Sequence, residues 1–314
     1  MADRPESKRR TPARRRPGQV SVAAPQRAED KIAPGLWLVA TPIGNMGDIT
    51  LRAIDILRAA DVLACEDTRR TRQLLSLLGI AIDGRRLIAY HDRNGAAQRP
   101  RLLDMLADGL SVACVSDAGT PMIADPGFKL VDAAYDAGLP VHVAPGASSV
   151  PAALALAGLP TDRFLFLGFL PSKRSARKNA LQEVCEIRAT LVLFESPRRL
   201  SDLLRDAAEM LGSGREAAVV REITKLHEEV RRGPLGDLAA AYSQTEVRGE
   251  IVIVIGPPAK PDASVDTSER LEERLRALLE EMSVKDAARI VAEEFGLPRR
   301  VAYAQALALS KSVR

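Results

Sequence analysis

The chain has 314 residues, 46% of them hydrophobic, and a formal net charge of +4, which suits about two domains with separate cores. No apolar run approaches the roughly 18 residues of a membrane span, and the charged first residues lack the apolar segment of a secretory signal. Cys65, Cys114 and Cys185 lie far apart, which predicts free thiols of a cytoplasmic protein and excludes a disulfide framework or a metal site.

Residues 1–33 hold nine Lys or Arg against four Asp or Glu, so the rest of the chain carries 36 basic and 37 acidic residues. This stretch is rich in Arg, Pro and Ala without hydrophobic periodicity, and we predict a disordered basic tail. The cluster at 9–16 either adds salt-sensitive affinity for RNA or is a solvated extension. The net charge alone therefore does not indicate a nucleic-acid enzyme.

Strands alternate with helices over residues 34–157, which we expect to form an N-terminal α/β domain. The strands are predicted at 35–40, 62–64, 86–90, 112–115 and 141–144, and the helices at 51–60, 73–78, 100–108, 129–137 and up to 157. Nearly every strand ends in a loop of small or charged residues. This order predicts a largely parallel sheet with helices on both faces.

The stretch VACVSDAGTPMIADPG, residues 112–127, is the most informative of these strand ends. In open α/β sheets, ligands bind at the carboxyl ends of strands, and Gly119 lets backbone approach a ligand closely. Asp117 is placed to accept hydrogen bonds from a ribose or an amino group. The alternative is an ordinary connection in which Asp117 caps the next helix.

A run of charged residues follows the strand predicted at 62–64. Glu66 and Asp67 either form a base beside the phosphate-binding groups Arg69 and Arg70, or cap the following helix and pair with those arginines.

Residues 158–258 predict a second α/β domain, with strands at 164–169, 190–194, 217–220 and 250–255 and fewer intervening helices, hence a mixed sheet. Residues 259–268 are expected to be a linker. Residues 269–314 predict a helical module with helices from Leu271, over 284–295 and from Arg299. Two of these helices resemble a helix-turn-helix, a pattern that a simple helical cap also gives. No P-loop is present, and the G-x-G-x-x-A match at 212–217 precedes a strand instead of following one, so we reject it as a dinucleotide site.

Nine stretches and the C-terminal run KDAARIVAEEFGLPRRVAYAQAL (285–307) together carry a resemblance that covers residues 35–310 in order. They include TPIGN (41–45), EDTRRTRQLL (66–75), SDAGTPMIADPG (116–127), PGASS (145–149), FESPRRL (194–200), REITKLHEE (221–229) and RGE (248–250). The chain resembles the bacterial small-subunit ribosomal RNA (cytidine-2′-O)-methyltransferases, within the tetrapyrrole-methylase superfamily of S-adenosylmethionine enzymes.

The resemblance implies two α/β domains with S-adenosylmethionine in the cleft between them, a homodimer, and ribosomal RNA or the small ribosomal subunit as partner. The sequence itself shows no metal-ligand spacing and no apolar span, so we expect neither a metal nor a membrane partner. The cofactor-binding positions that the resemblance implies are Pro42, Asp117, Ala118, Gly119, Thr120, Ile123, Ser148, Ser149, Glu195 and Ile223.

A ribose 2′-hydroxyl is a weak nucleophile, so we expect a general base or a charge-stabilising group to assist it. The catalytic candidates are Glu66, Asp67 and, if burial lowers its pKa, Lys225. Four further residues at strand ends stay open as candidates: His91, Asp92, Glu195 and Glu222. Basic residues in loops after strands suggest contacts to RNA phosphates. These RNA-binding candidates are Arg69, Arg70, Lys173, Arg174, Arg198, Arg199 and Arg221, and the same basic stretch continues to Arg177 and Lys178.

Two other functions compete with this one. A methylase of a tetrapyrrole-like small molecule would use the same pocket, and its basic loops would bind carboxylates. A non-catalytic RNA-binding protein would keep the fold without the cofactor, although intact small residues at Gly119, Gly146 and Ser148 argue against it.

Overall fold

The computed structural model describes residues 31–123, 127–259 and 263–312, which divide into two compact units. Unit 1 runs to Thr41 and resumes over Ile49–Gly146; unit 2 contains Pro42–Asp48 and the chain from Ala147 onward. Almost all of the tail predicted over 1–33 lies outside the described residues, as do Asp125 and Pro126 of the central loop.

Unit 1 is a five-stranded sheet in the order β3-β2-β4-β1-β5, and every pairing in it is parallel. The predicted parallel sheet is confirmed. Its elements are β1 (Gly35–Val39), α1 (Leu51–Ala59), β2 (Val62–Cys65), α2 (Thr68–Leu77), β3 (Arg86–Ala89), α3 (Gly95–Ala107), β4 (Ser111–Val115), α4 (Phe128–Asp136) and β5 (Val141–Ala144).

Helices cover both faces of this sheet. Along β4, Val112 and Cys114 pack in one core with α3 and α4, while Ala113 and Val115 pack in the other with α1 and α2. Because both faces are buried, β2 and β4 are continuous apolar runs without alternation.

The chain leaves the neighbouring strands β2 and β4 in opposite directions. From β2 it passes through α2 on one face to β3 at one edge; from β4 it passes through α4 on the other face to β5 at the opposite edge. Such a reversal opens a crevice at the carboxyl ends of the two strands, where open α/β sheets bind ligands.

Unit 2 is built on a mixed sheet in the order β6-β7-β10-β8-β9, with β6 and β7 parallel and the other pairs antiparallel. The predicted mixed sheet is confirmed. Its elements are α5 (Ser149–Ala157), β6 (Phe164–Phe169), α6 (Arg174–Glu183), β7 (Thr190–Glu195), α7 (Leu200–Leu211), β8 (Glu216–Arg221), β9 (Glu229–Pro234), α8 (Leu235–Tyr242) and β10 (Ile251–Ile255).

The central strand β10 supplies both cores of this sheet. Its isoleucines pack with α7 and α8, whereas Val252 and Val254 pack with Ala153 and Leu154 of α5. The sequence assigns α5 to the end of the first domain. In the structure it belongs to unit 2, because its apolar face completes the core under the second sheet.

Three helices follow: α9 (Ala263–Glu281), α10 (Val284–Glu294) and α11 (Arg299–Ser312), which share a small core around Leu275, Val291 and Ala302. The first of them begins at Ala263, inside the expected linker and eight residues before Leu271. Likewise, α6 begins at Arg174, within the basic stretch expected to be a loop.

The cysteines are free thiols as predicted, with Cys65 and Cys114 buried and Cys185 half-buried. Within the described part of the chain, no helix has the length and apolar character that crossing a bilayer demands. Nor do three or more His, Cys, Asp or Glu side chains of these residues converge as a metal site.

Candidate functional site

A backbone bridge joins the loops that follow β1 and β4. Thr41 N donates to Gly119 O at 2.9 Å, and Gly119 N donates to Thr41 O at 3.1 Å. The buried hydroxyls reinforce it, because Ser116 Oγ donates to Gly119 O at 3.0 Å and Thr41 Oγ1 to Ser116 O at 3.3 Å. Gly119 has a φ of +81°, a conformation that favours glycine. The Ser-Asp-Ala-Gly loop is thus held in one shape at the crevice.

Asp117 joins the loops that follow β2 and β4. Its Oδ1 accepts from Asp67 N at 3.1 Å, its Oδ2 lies 3.4 Å from Arg70 Nε, and its own N–H donates to Glu66 Oε2 at 3.4 Å. The next helix, α4, begins at Phe128 with Gly127 at its N-cap. The alternative in which Asp117 caps that helix is therefore wrong.

Asp67 is the N-cap of α2. Its carboxylate accepts from Arg69 N at 2.8 Å and from the Arg69 guanidinium at 2.7 Å and 3.1 Å. Hydrogen bonds from the Arg69 side chain and backbone hold the pKa of Asp67 well below its ordinary value, which makes it a weak base. Its geometry is that of a helix cap paired with an arginine. Glu66 is half-buried and has no ion-pair partner among the described residues.

The PGASS segment follows β5 at the same edge of the sheet. A Cβ on Gly146 would lie 3.0 Å from the Cβ of Ala40, closer than side-chain carbons normally approach, so the passage of this segment beside the end of β1 favours glycine. Ser148 occupies the N-cap of α5, but its side chain makes no capping hydrogen bond. Ser148 and Ser149 are both half-buried.

A strained turn follows β8 in unit 2. Glu222 and Thr224 have φ values of +51° and +64° on either side of the buried Ile223. Such backbone costs about 1–3 kcal/mol at each residue and is concentrated at functional sites. The TPIGN segment holds it, because Asn45 N donates to Thr224 Oγ1 at 3.1 Å. A Cβ on Gly44 would lie 3.0 Å from the carbonyl oxygen of Ile223, so this contact requires glycine.

Lys225 lies between two carboxylates. Its Nζ is 2.9 Å from Glu222 Oε1 and 3.2 Å from Glu250 Oε2, and Glu222 Oε1 also accepts from Glu250 N at 2.9 Å. Burial lowers the pKa of Lys225, but the hydrogen bonds and charges of the two carboxylates outweigh it, so that the pKa is raised. The expectation of a lysine whose pKa is lowered by burial is wrong. Lys225 is a cation at neutral pH.

Glu195 and Arg199 tie the end of β7 to the segment that follows β6. The Glu195 side chain is buried, its Oε1 accepts from Ser196 N at 2.7 Å, and its Oε2 lies 3.1 Å from Arg199. Arg199 also donates to Leu170 O at 2.6 Å. These contacts order the strand end; the roles of Glu195 and Ile223 toward a cofactor stay predictions.

The basic candidates fall into two groups. Ion pairs within the fold occupy Arg69, Arg70, Arg174, Arg199 and Arg221, the last at 2.6 Å from Glu229. Arg177, counted in the sequence with the basic stretch, is buried against Asp206 at 2.6 Å and is structural. Lys173 and Arg198 are exposed and have no ion-pair partner in the part of the chain that the structure describes.

Sequence reasoning assigned no role to Thr41, Ser116, Thr224 or Gly249. They lie within or directly beside the TPIGN, SDAGTP, REITK and RGE stretches, and glycines and small polar residues directly after apolar strands were the available signal. Gly249 has a φ of +94°, and a Cβ on it would collide with the Glu222 carboxylate.

The family sequence model for the Tetrapyrrole (Corrin/Porphyrin) Methylases matches residues 35–239. The chain belongs to the tetrapyrrole methylase family. Residues 265–310 match the model of the RsmI C-terminal HTH domain, which favours the helix-turn-helix interpretation of the last three helices over a simple cap.

Curated relatives agree with this assignment. The chain is 46% identical over 279 residues to the Ribosomal RNA small subunit methyltransferase I of Mesorhizobium japonicum, covering 88% of this chain and 93% of that protein. It is 49% identical over 224 residues to the protein of the same name from Mycobacterium tuberculosis, covering 71% and 78%. Among solved structures, the uroporphyrin-III C-methyl transferase from Thermus thermophilus complexed with S-adenyl homocysteine matches with a TM-score of 0.50 at 20% identity. That match covers 71% of this chain and 97% of the other.

Proposed function

We propose that the chain transfers a methyl group from S-adenosylmethionine to the ribose 2′-oxygen of a cytidine in small-subunit ribosomal RNA. The observation that carries the proposal is 46% identity, over most of both chains, to a protein named for methylation of this RNA. The chain is a methyltransferase of small-subunit ribosomal RNA. The choice of cytidine and of the 2′-oxygen rests on the resemblance carried by the TPIGN, EDTR and REITK stretches.

The strand ends of unit 1 fit a nucleoside cofactor. Asp117 offers a carboxylate that is 18% exposed, and beside it Ala118 and Ile123 are exposed small and apolar surface. Gly119 and Gly146 keep side chains out of the crevice. A structural neighbour holds S-adenyl homocysteine, the demethylated form of the proposed cofactor. The proposed binding set is Pro42, Asp117, Ala118, Gly119, Thr120, Ile123, Ser148, Ser149, Glu195 and Ile223.

S-adenosylmethionine, when bound, supplies a methyl group already activated on a sulfonium. The protein therefore has to orient the ribose hydroxyl and accept its proton. We propose Glu66 as the proton acceptor, because it has no ion-pair partner among the described residues. Asp67 is instead held as a helix cap paired with Arg69, and Lys225 is a cation between two carboxylates. The cationic Lys225 instead suits a contact with a phosphate of the RNA.

The exposed cations Lys173 and Arg198 contact RNA phosphates, together with those of Arg69, Arg70, Arg174, Arg199 and Arg221 whose ion pairs leave donors available. The chain acts as a homodimer, as the resemblance implies, which light scattering of the purified protein tests. It works in the cytoplasm, where its RNA substrate is made.

The test is methyl transfer from labelled S-adenosylmethionine to isolated small ribosomal subunits and to naked RNA, with the 2′-O-methyl nucleosides mapped after digestion. Wild type is expected to yield 2′-O-methylcytidine. Asp117→Ala should abolish cofactor binding, because it removes the carboxylate that holds the loops after β2 and β4 together.

Asp61→Ala is the matched control. Asp61 Oδ2 accepts from Ser111 N at 2.8 Å and Ser111 Oγ at 2.6 Å, so it joins β2 to β4 at their amino ends as Asp117 does at their carboxyl ends. This variant should lose stability but keep cofactor affinity in the folded state. If the chain binds the cofactor but transfers no methyl group to any RNA, the proposal is wrong, and small molecules should be tested as acceptors instead.

A further inference from the structure

A groove of about 780 Å³ lies wholly within unit 2. One wall runs from the end of β7 to the first turn of α7, residues 196–201, and the other from the end of α8 toward β10, residues 242–249. Its polar lining includes the hydroxyls of Ser201 and Thr245, the amide of Gln244, and the guanidinium groups of Arg198 and Arg248.

The charged side chains of this lining are Arg198, Arg248 and Glu246, which give it a net charge of +1. Arg198 has no ion-pair partner among the described residues. Arg248 lies 3.4 Å from Glu246, but both side chains are more than 80% exposed, and such a pair contributes little. The first turn of α7 also lines the groove at Ser201, and no side chain caps that helix, so its N-terminus adds partial positive charge.

On the opposite wall, two hydroxyl groups donate hydrogen bonds to carbonyl oxygens at the C-terminal end of α8, where the helix dipole is negative. Ser243 Oγ donates to Ala240 O at 2.7 Å, and Thr245 Oγ1 donates to Ala241 O at 2.8 Å. The carbonyl groups at this helix end are thereby paired, while the hydroxyl oxygens keep lone pairs that can accept from a ribose. The groove thus combines cations for phosphates with acceptors for sugar hydroxyls.

The groove ends against the charged cluster that holds Lys225. Gly249 lines its last part and packs on the Glu222 carboxylate, which accepts from Glu250 N and pairs with Lys225. A chain lying in the groove would therefore run toward the strained turn, where Lys225 is paired with the carboxylates of Glu222 and Glu250.

We propose that this groove binds the sugar–phosphate chain of single-stranded RNA next to the nucleotide that is methylated. This inference rests on the proposed function and adds a site for its substrate. Tyr242, the aromatic residue in the lining, is buried to 95% of its surface, and the Arg231 guanidinium lies 5.4 Å from its ring centre, so it offers no face for a base to stack on. The groove therefore binds the sugar–phosphate backbone of the RNA and has little preference among the bases.

The experiment measures binding of the full chain to fluorescein-labelled 12-nucleotide oligocytidylate and oligouridylate by anisotropy, between 50 and 200 mM salt and without cofactor. Arg198→Ala and Arg248→Ala, tested separately, should each lower the affinity for both oligonucleotides by roughly three- to tenfold. Each should also lower the slope of log affinity against log salt by ~0.7, the value for one phosphate contact on a single strand.

Arg188→Ala is the matched control, because Arg188 is exposed just before β7 whereas Arg198 follows that strand at its other end. Its affinity and salt slope should equal those of wild type. Unchanged affinity in both groove variants would overturn the inference, as would a loss confined to one oligonucleotide. If one of the two groove variants unfolds at a lower temperature than wild type, the RNA affinity of the other variant tests the proposal. Wild-type transfer to ribosomal subunits is measured separately, so failure of the proposed function is distinguished from failure of the groove.

Discussion

The pair of Arg177 and Asp206 is the most deeply buried ion pair described in unit 2, with side chains 4% and 1% exposed and 2.6 Å apart. Asp206→Asn leaves Arg177 buried without its counter-charge, which typically costs 3–5 kcal/mol, about the effect we expect on the free energy of unfolding in urea. Asp202→Asn on the same helix is the control. Its carboxylate is 57% exposed beside Arg205, so a loss below ~1 kcal/mol is expected. Equal losses in both variants would contradict the buried pair's importance.

The same pair predicts a pH dependence of stability. Burial raises the pKa of Asp206, but hydrogen bonds from Arg174 and Arg177 outweigh it, so the pKa is lowered on folding. A depressed pKa contributes stability that is present above the ordinary pKa of 3.8 and is lost as pH falls through the folded value. Urea unfolding of wild type at pH 7 and at successively lower pH should show this loss, and Asp206→Asn should show less of it. Parallel curves would contradict the assignment to Asp206.

Two glycines separate backbone strain from close packing. Gly249 and Gly212 have φ values of +94° and +99°, but a Cβ would strike the Glu222 carboxylate at Gly249, whereas nothing lies within 4 Å at Gly212. Both alanine variants should lose about 1–3 kcal/mol from the positive φ. Gly249→Ala should lose more in urea unfolding, and it alone should weaken binding of RNA. Similar losses and similar RNA affinity would show that the Glu222 contact contributes nothing.

At the scale of elements, α10 has a side-chain cap that can be tested. Ser283 Oγ accepts from Asp286 N at 3.2 Å and donates to Asp286 Oδ2 at 2.6 Å. Ser283→Ala should therefore destabilise this helix by about 1 kcal/mol, visible as faster hydrogen exchange over 284–294. Ser310→Ala removes a hydroxyl that donates to Leu307 O near the C-terminal end of α11, outside residues 284–294, and should leave exchange over α10 unchanged.

The elements show what local pattern can predict. The inner strands β1, β2 and β4 of unit 1 are largely apolar runs between polar loops, and every residue in them is buried, so their burial on both faces can be predicted from the sequence. The sequence did not indicate β9, because it is an edge strand over EVRRGP with mostly exposed, charged positions and no apolar period. The basic residues 173–178 suggested a loop, although the helix there is stabilised by Asp206, 29 residues away from Arg177. Long-range partners of this kind leave no local trace.

The candidate site likewise has one part that the sequence predicts and one part that depends on long-range contacts. Strand order along the chain predicts that Glu66, Asp117 and Ser148 follow strands of one sheet, and the structure has them there. The bond from Asp67 N to Asp117 and the bridge from Thr41 to Gly119 depend on loop shapes set by residues 50 and 78 positions apart. The rise in the pKa of Lys225 likewise depends on Glu250, which only the pairing of β8 with β10 brings near.

At the scale of the whole molecule, the positive charge belongs to the first 30 residues. These hold eight basic and four acidic residues, so residues 31–314, with 37 of each, are neutral. A neutral body must attract RNA through local cation clusters such as Arg198 and Arg248, whereas the tail can add attraction that does not depend on RNA structure.

Replacing the five arginines of residues 9–16 by Gln tests this division, because it removes charge while keeping the length of the chain. The salt slope of oligonucleotide binding should fall by about 0.7 for each arginine that neutralises a phosphate, with the largest loss of affinity at 50 mM salt. Cofactor affinity and the melting temperature should equal those of wild type, because arginines of a segment predicted to be disordered contribute to neither core. The variant should still methylate small subunits, with a higher KM and an unchanged kcat, since weaker attraction of substrate leaves the chemical step intact. A lowered kcat would instead place the tail among the groups that position the RNA for reaction.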